Sequence, residues 1–116
     1  NHKAVQYLNT SADQAQTKHA LRATQRDLFL YPLSAQELNA FDVVVLDPPR
    51  AGALNQVKQI AKSTVPLVIM VSCNPDSFAR DAAHLVKAGY QMTKTYLLDQ
   101  FLWSPHLEVI SFFVRP

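Results

Sequence analysis

Nine residues, Leu67-Val68-Ile69-Met70-Val71-Ser72-Cys73-Asn74-Pro75, most restrict what this chain of 116 can fold into. Five consecutive large apolar residues offer no polar face, so they read as a strand buried on both faces of a sheet. Proline cannot continue the ladder, and Asn74-Pro75-Asp76 has the chemistry of a helix start. Asn is a good N-cap, Pro suits the first helical position, and a carboxylate sits well in the positive first turn. Cys73, the only cysteine, is thereby placed at the carboxyl end of a central strand, beside a helix N-terminus. In open α/β sheets ligands bind at that edge, and a helix N-terminus favours the nucleophilic thiolate. A plainer reading stays open, because free Cys is among the most buried residue types and packs as a small hydrophobe.

The same design occurs earlier in the chain. Phe41 to Leu46 is a second buried run, rich in Val, and it stops at Asp47-Pro48-Pro49-Arg50. Two prolines end the strand at Asp47, and Pro48 holds that residue extended, so its carboxylate is presented at the sheet's edge. A modest helix is predicted over Leu54 to Lys62, with Leu54, Val57, Ile60 and Ala61 as its apolar positions. A second is predicted from about Asp76 to Ala88, burying Phe78, Ala82, Leu85 and Val86 and closed by Gly89. Tyr90 to Leu98 and Val109 to Val114 read as two further strands. Between them, Asp99 to Glu108 gathers Phe101, Trp103, His106 and Glu108. That is either a functional loop or a loop tucked down by its aromatics with Glu108 solvated.

Upstream, Ala4 to His19 lacks Gly and Pro and sets Ala4, Leu8, Ala12, Ala15 and His19 on one face, as in an amphipathic helix. Leu21 to Thr24 reads as a short extended piece leading into Arg26-Asp27-Leu28-Phe29. Asp27 either meets an amino or hydroxyl group of a ligand or caps a turn. Ser34 and Glu37 have the spacing of a capping box.

An apolar content of 48% with 17% charged residues is that of a globular chain. A net charge of +2 permits a nucleic-acid partner without demonstrating one. One cysteine rules out an internal disulfide and any cysteine-pair metal knuckle or iron–sulfur site within the chain, and no metal site is expected. No apolar run reaches 18 residues and the start has no signal-peptide pattern, so a cytoplasmic location without a membrane partner is expected.

Three segments taken together carry a resemblance. Asp47-Pro48-Pro49-Arg50-Ala51-Gly52, then Ser72-Cys73-Asn74-Pro75, then Asp99-Gln100-Phe101 with Ser104, His106 and Glu108 resemble the RNA uracil-C5 methyltransferases that use S-adenosylmethionine. The likeness runs from roughly Ala20 to the C-terminus. The Ala51-Gly52-Ala53 continuation is more similar to the branch acting on ribosomal RNA than to that acting on transfer RNA. The resemblance implies an α/β, Rossmann-like class I methyltransferase fold, mostly parallel with an antiparallel last strand. It implies Cys73 as nucleophile and Glu108 as the base that removes the C5 proton. It also implies Asp47 at the junction of cofactor and target base, Asp27 near the adenosine, and Phe101 and His106 shaping the uracil pocket. The target uridine must be unstacked to expose its ring face.

The family's glycine-rich cofactor turn has no counterpart here: Gly52 and Gly89 are the only glycines, and neither lies in such a turn. The family's RNA-binding β-barrel and iron–sulfur cysteines have none either. The chain therefore resembles the C-terminal half of a catalytic domain, a single partial domain over residues 1–116 that is not expected to turn over alone. In the family's sheet order, 3-2-1-4-5-7-6, Leu21 to Thr24 would be strand 3 and the other four runs strands 4 to 7. Strand 4 would then have an unpaired apolar edge, either paired with a second copy or covered by Leu21 to Thr24 and the first helix. Two other readings remain: a non-catalytic Rossmann-like module that binds RNA or a partner, and an amino-group methyltransferase using Asp47-Pro48-Pro49.

Overall fold

The computed structural model describes residues 2–14, 20–99 and 107–116. Its elements are α1 (His2–Gln14), α2 (Ala35–Leu38), β1 (Val43–Leu46), α3 (Leu54–Ala61), β2 (Leu67–Ser72), α4 (Pro75–Lys87), β3 (Gln91–Asp99) and β4 (Leu107–Val114). The four strands form one sheet in the order β1-β2-β4-β3. β1 and β2 are parallel, and β4 runs antiparallel to both of its neighbours. Three strands thus point one way and the last is inserted between β2 and β3, the order expected for strands 4, 5, 7 and 6. The chain has a Rossmann-like α/β fold.

Burial alternates along the strands, and that decides where the core lies. Val68, Met70 and Ser72 of β2 and Val109, Ser111 and Phe113 of β4 are buried. Val57 and Ile60 from α3 and Ala82 and Leu85 from α4 join Val68, Met70 and Phe113 in one cluster, so both helices cover the same sheet face. The residues between, Leu67, Ile69 and Val71, are only half-buried. β2 is therefore not buried on both faces as its composition suggested. β1 departs further: only Leu46 is buried, while Val43 and Val45 are 45% and 62% exposed, because β1 is an outer strand. β3, the outer strand at the other end, is exposed along its whole length.

The termini of the covering helices follow their local chemistry. Asn74 caps α4 by accepting the Asp76 N–H at 3.1 Å, with Pro75 at the first helical position. Gly89 follows the C-cap with φ +110°, where a side chain would be strained. Arg115 then binds both helix ends, its guanidinium donating to the carbonyls of Ala88 and Ala61, each at 3.0 Å. The same group lies 4.2 Å from the centre of the Tyr90 ring, and the Tyr90 hydroxyl donates to the Val65 carbonyl at 2.7 Å. Cations at helix C-termini meet the negative end of the dipole.

Several expectations are corrected. Leu21 to Thr24 forms no strand, having no partner strand among the described residues, and the Asn9 side chain pairs with the backbone of Ala23 alone. The Asn9 amide donates to the Ala23 carbonyl at 2.9 Å and accepts the Ala23 N–H at 2.6 Å. No described strand pairs with the open side of β1. Ala4 and Leu8 of α1 are exposed rather than part of the core. The predicted helix runs on to His19, but residues 15–19 lie outside the described residues. Phe41 precedes β1 and is 50% exposed, and Val86 of α4 is 49% exposed. Asp99 and Glu108 belong to strands, not to a loop. Among the described residues no helix is long and apolar enough to cross a membrane.

Candidate active site

Asp47 directly follows β1 and is exposed at the sheet's carboxyl edge. There it lines a cleft of about 580 Å³ together with Asp27, Phe29, Pro48, Gly52 and Gln56, within the size range of small-molecule sites. Of the two roles open to Asp27, its hydrogen bonds show the turn cap. Its Oδ1 accepts the N–H groups of Phe29 and Leu30 at 3.0 and 3.1 Å, capping a turn. Its Oδ2 has no hydrogen-bond partner among the described residues. The two acidic residues are 20 positions apart in sequence and share one cavity.

The cleft's outer wall is held rigidly. Arg26 donates to the carbonyls of Tyr31 and Pro32 at 2.7 and 3.0 Å and forks onto both oxygens of Glu37 at 3.2 and 3.3 Å. From α3, the buried Gln56 side chain donates to the Leu33 carbonyl and accepts its N–H, at 3.0 and 2.8 Å. Asn55 adds a bond to the Phe29 carbonyl at 2.7 Å. The loop from Asp27 to Ser34 is thus positioned by side chains reading its backbone.

Cys73 follows the last residue of β2 and Glu108 lies near the start of the adjoining β4. The β2–β4 ladder ends on the pair Ser72 and Val109, so each of the two is one residue beyond its last rung. Both are half-buried. The Ser72 hydroxyl brackets the cysteine by accepting the Asn74 N–H at 3.2 Å and donating to the Asn74 carbonyl at 3.0 Å. Asp27 and Asp47 thus share the cleft, and Cys73 and Glu108 each lie just beyond the last rung of the β2–β4 ladder. Phe101 and His106 lie outside the described residues.

Arg26, Gln56, Ser77, Arg80 and Asp81 were not singled out from the sequence. Two of them carried a signal. Gln56 lies on the stripe formed by Ala53, Val57 and Ile60, and Asp81 on that of Phe78, Ala82 and Leu85. A polar residue on a core-facing stripe must satisfy its hydrogen bonds inside the protein.

The sequence profile of the tRNA (uracil-5-)-methyltransferase family matches residues 4–115. The chain belongs to this family. It is 47% identical over 109 residues to an uncharacterized RNA methyltransferase of Agrobacterium fabrum, covering 94% of this chain and 26% of that protein. It is 41% identical over 97 residues to the 23S rRNA (uracil(1939)-C(5))-methyltransferase RlmD of Pseudomonas fluorescens, covering 82% of this chain and 21% of that protein. The solved tRNA (uracil-54, C5)-methyltransferase of Pyrococcus abyssi, in complex with S-adenosyl-L-homocysteine, superimposes with a TM-score of 0.72 at 28% identity. It covers 98% of this chain, which covers 27% of it. The chain therefore spans about a quarter of the length of these relatives.

Proposed function

We propose that the protein containing this chain methylates C5 of a uridine in RNA, with S-adenosylmethionine as methyl donor, and that this segment supplies the nucleophile and the base. What supports the reading is that Cys73, just after β2, and Glu108, on the adjoining β4, each lie one residue beyond the last rung of the ladder between those strands, while Asp27 and Asp47 line one cleft. The cleft's donor set suits that cofactor, since carboxylates accept hydrogen bonds from ammonium and ribose hydroxyl groups. Asp27 and Asp47 would hold it there, with Phe29 and Pro48 as apolar wall. When bound, it supplies an electrophilic methyl group.

C5 of uracil is too weak a nucleophile to take a methyl group unaided. Attack of the Cys73 thiolate on C6 forms a sulfur–carbon bond and moves the C5–C6 π electrons toward O4, which makes C5 an enolate carbon. Once C5 carries the methyl group, the Glu108 carboxylate removes the remaining C5 proton. The released electron pair restores the C5–C6 double bond and expels the thiolate. Asp47, at the end of the neighbouring strand, stands where cofactor and base would meet. Phe101 and His106 are assigned to the uracil pocket on the resemblance alone. A ribosomal RNA target is favoured by Ala51-Gly52-Ala53 and fits the name of the Pseudomonas relative.

The full-length protein is expected to form a covalent complex with 5-fluorouridine RNA, because fluorine cannot leave C5 as a proton. Cys73→Ala abolishes that complex. Glu108→Gln, on ordinary uridine RNA, accumulates the methylated adduct instead of releasing product. Gel-shift under denaturing conditions and mass spectrometry of the adduct read both. Trapping by Cys73→Ala at the parent level sinks the nucleophile assignment, and product release by Glu108→Gln at the parent rate sinks the base.

A further inference from the structure

The loop after β1 and the first turns of α4 are bonded to each other along their whole contact. Asn74 Nδ2 and Ser77 Oγ both donate to the Arg50 carbonyl, at 3.0 and 2.8 Å. Arg80 Nη2 donates to the Ala51 carbonyl at 2.8 Å. Asp81 Oδ2 accepts the Ala53 N–H at 2.8 Å, while its Oδ1 accepts Arg80 Nε at 3.1 Å and lies 3.0 Å from Arg80 Nη2. Gly52 sits between these groups with φ +82°. A Cβ there would lie 2.6 Å from both Arg80 Nη2 and Asp81 Oδ2 and 3.0 Å from Ser77 Cβ. The joint has no slack.

Its placement suggests more than helix packing. Asp81 is fully buried, and burying a carboxylate is costly unless it is paired and hydrogen-bonded. An apolar residue would serve the α3–α4 contact without that cost. What Asp81 adds is a fixed acceptor for a loop whose other side, at Asp47, Gly52 and Ala53, lines the cleft. The helix that carries Asp81 begins directly after Cys73, and its N-cap Asn74 is itself one of the bonded groups.

We propose that Asn74, Ser77, Arg80 and Asp81 form a clasp that fixes the separation between the cofactor cleft and Cys73, with Asp81 as its principal positioning residue. The inference rests on the methyltransferase reading above. Neither Ser77 nor Asp81 lines the cleft, so each acts through the 50–53 backbone and not on the reacting atoms. Rates of oriented reactions are steep in geometry, a misplacement of about 1 Å costing on the order of 100-fold.

The test uses the full-length protein with three readouts. Covalent trapping on 5-fluorouridine RNA counts competent sites, single-turnover methyl transfer gives a rate per counted site, and calorimetry gives the affinity for S-adenosylhomocysteine. Asp81→Ala is expected to lower the rate per site by about 10-fold or more and to weaken S-adenosylhomocysteine several-fold, with KM for RNA unchanged. Asp81→Asn keeps an acceptor for the Ala53 N–H and recovers most of the affinity. Ser77→Ala shifts both quantities the same way by less, and it decides the matter if Asp81→Ala does not fold. Parent values of rate per site and of affinity in the folded variants overturn the clasp, whatever their thermal midpoints do. If the unsubstituted protein methylates no uridine RNA, the methyltransferase reading fails, and the affinities alone judge the clasp: unchanged affinity overturns it.

Discussion

Gly52 is the residue at which backbone and packing demands coincide. Its φ of +82° lies where L side chains are rarely found, and the space for a Cβ is already taken by Arg80 and Asp81. Strained backbone of this kind costs roughly 1–3 kcal/mol, and the contacts at 2.6 Å add to it. Gly52→Ala is therefore expected to destabilise the fold by at least that amount, read as a lower urea midpoint at unchanged slope. A midpoint equal to the parent's would show that the loop has another conformation within reach. Glu37 gives a second residue-scale expectation. The Ser34 backbone N–H, aided by the Arg26 guanidinium, holds its carboxyl below the ordinary carboxylate value. A carboxyl depressed in the folded state adds stability above its unfolded pKa and loses it as pH falls through the folded value. Stability should thus decline on acidification below the ordinary glutamate range, and Glu37→Gln should flatten that part of the profile in thermal melts taken across acidic pH. An unchanged profile would remove Glu37 from the account.

Among the elements, those with strong local signals were legible in sequence and those set by partners were not. The apolar run of β2, the Asn74-Pro75 start of α4, its Gly89 stop and the Ser34–Glu37 box each name their own structure. Leu21 to Thr24 has a strand's composition but no partner strand among the described residues, and the Asn9 side chain satisfies only the backbone of Ala23. Burial on both faces of β1 and β2 was overestimated because composition shows what a strand tolerates, not which neighbours cover it. For the site, Asp47 and Cys73 were visible from the prolines that follow them. The cleft's wall was not, since Arg26, Asn55 and Gln56 act on backbone atoms that carry no sequence signature.

For the whole molecule, the unpaired side of β1 is the feature with the widest consequence. Val43 and Val45 are exposed on the face of this strand that the helices leave uncovered, and an open apolar strand edge is a template for pairing with another chain. Expressed as this segment alone, the protein is expected to self-associate with increasing concentration. Val43→Lys should shift it toward monomer in sedimentation velocity runs, since edge lysines oppose strand addition. A parent segment that stays monomeric at high concentration would show that the edge is protected. The sheet order β1-β2-β4-β3 also bears on how the chain is made. During synthesis β3 leaves the ribosome before β4, the strand that must sit between it and β2. Until β4 arrives, β3 has no ladder to join among the described strands, and β2 has no antiparallel neighbour among them. Because Glu108 lies on β4, the proposed base can join the sheet only after β3 has emerged, so the proposed nucleophile and base come onto one sheet with the last described strand to be made.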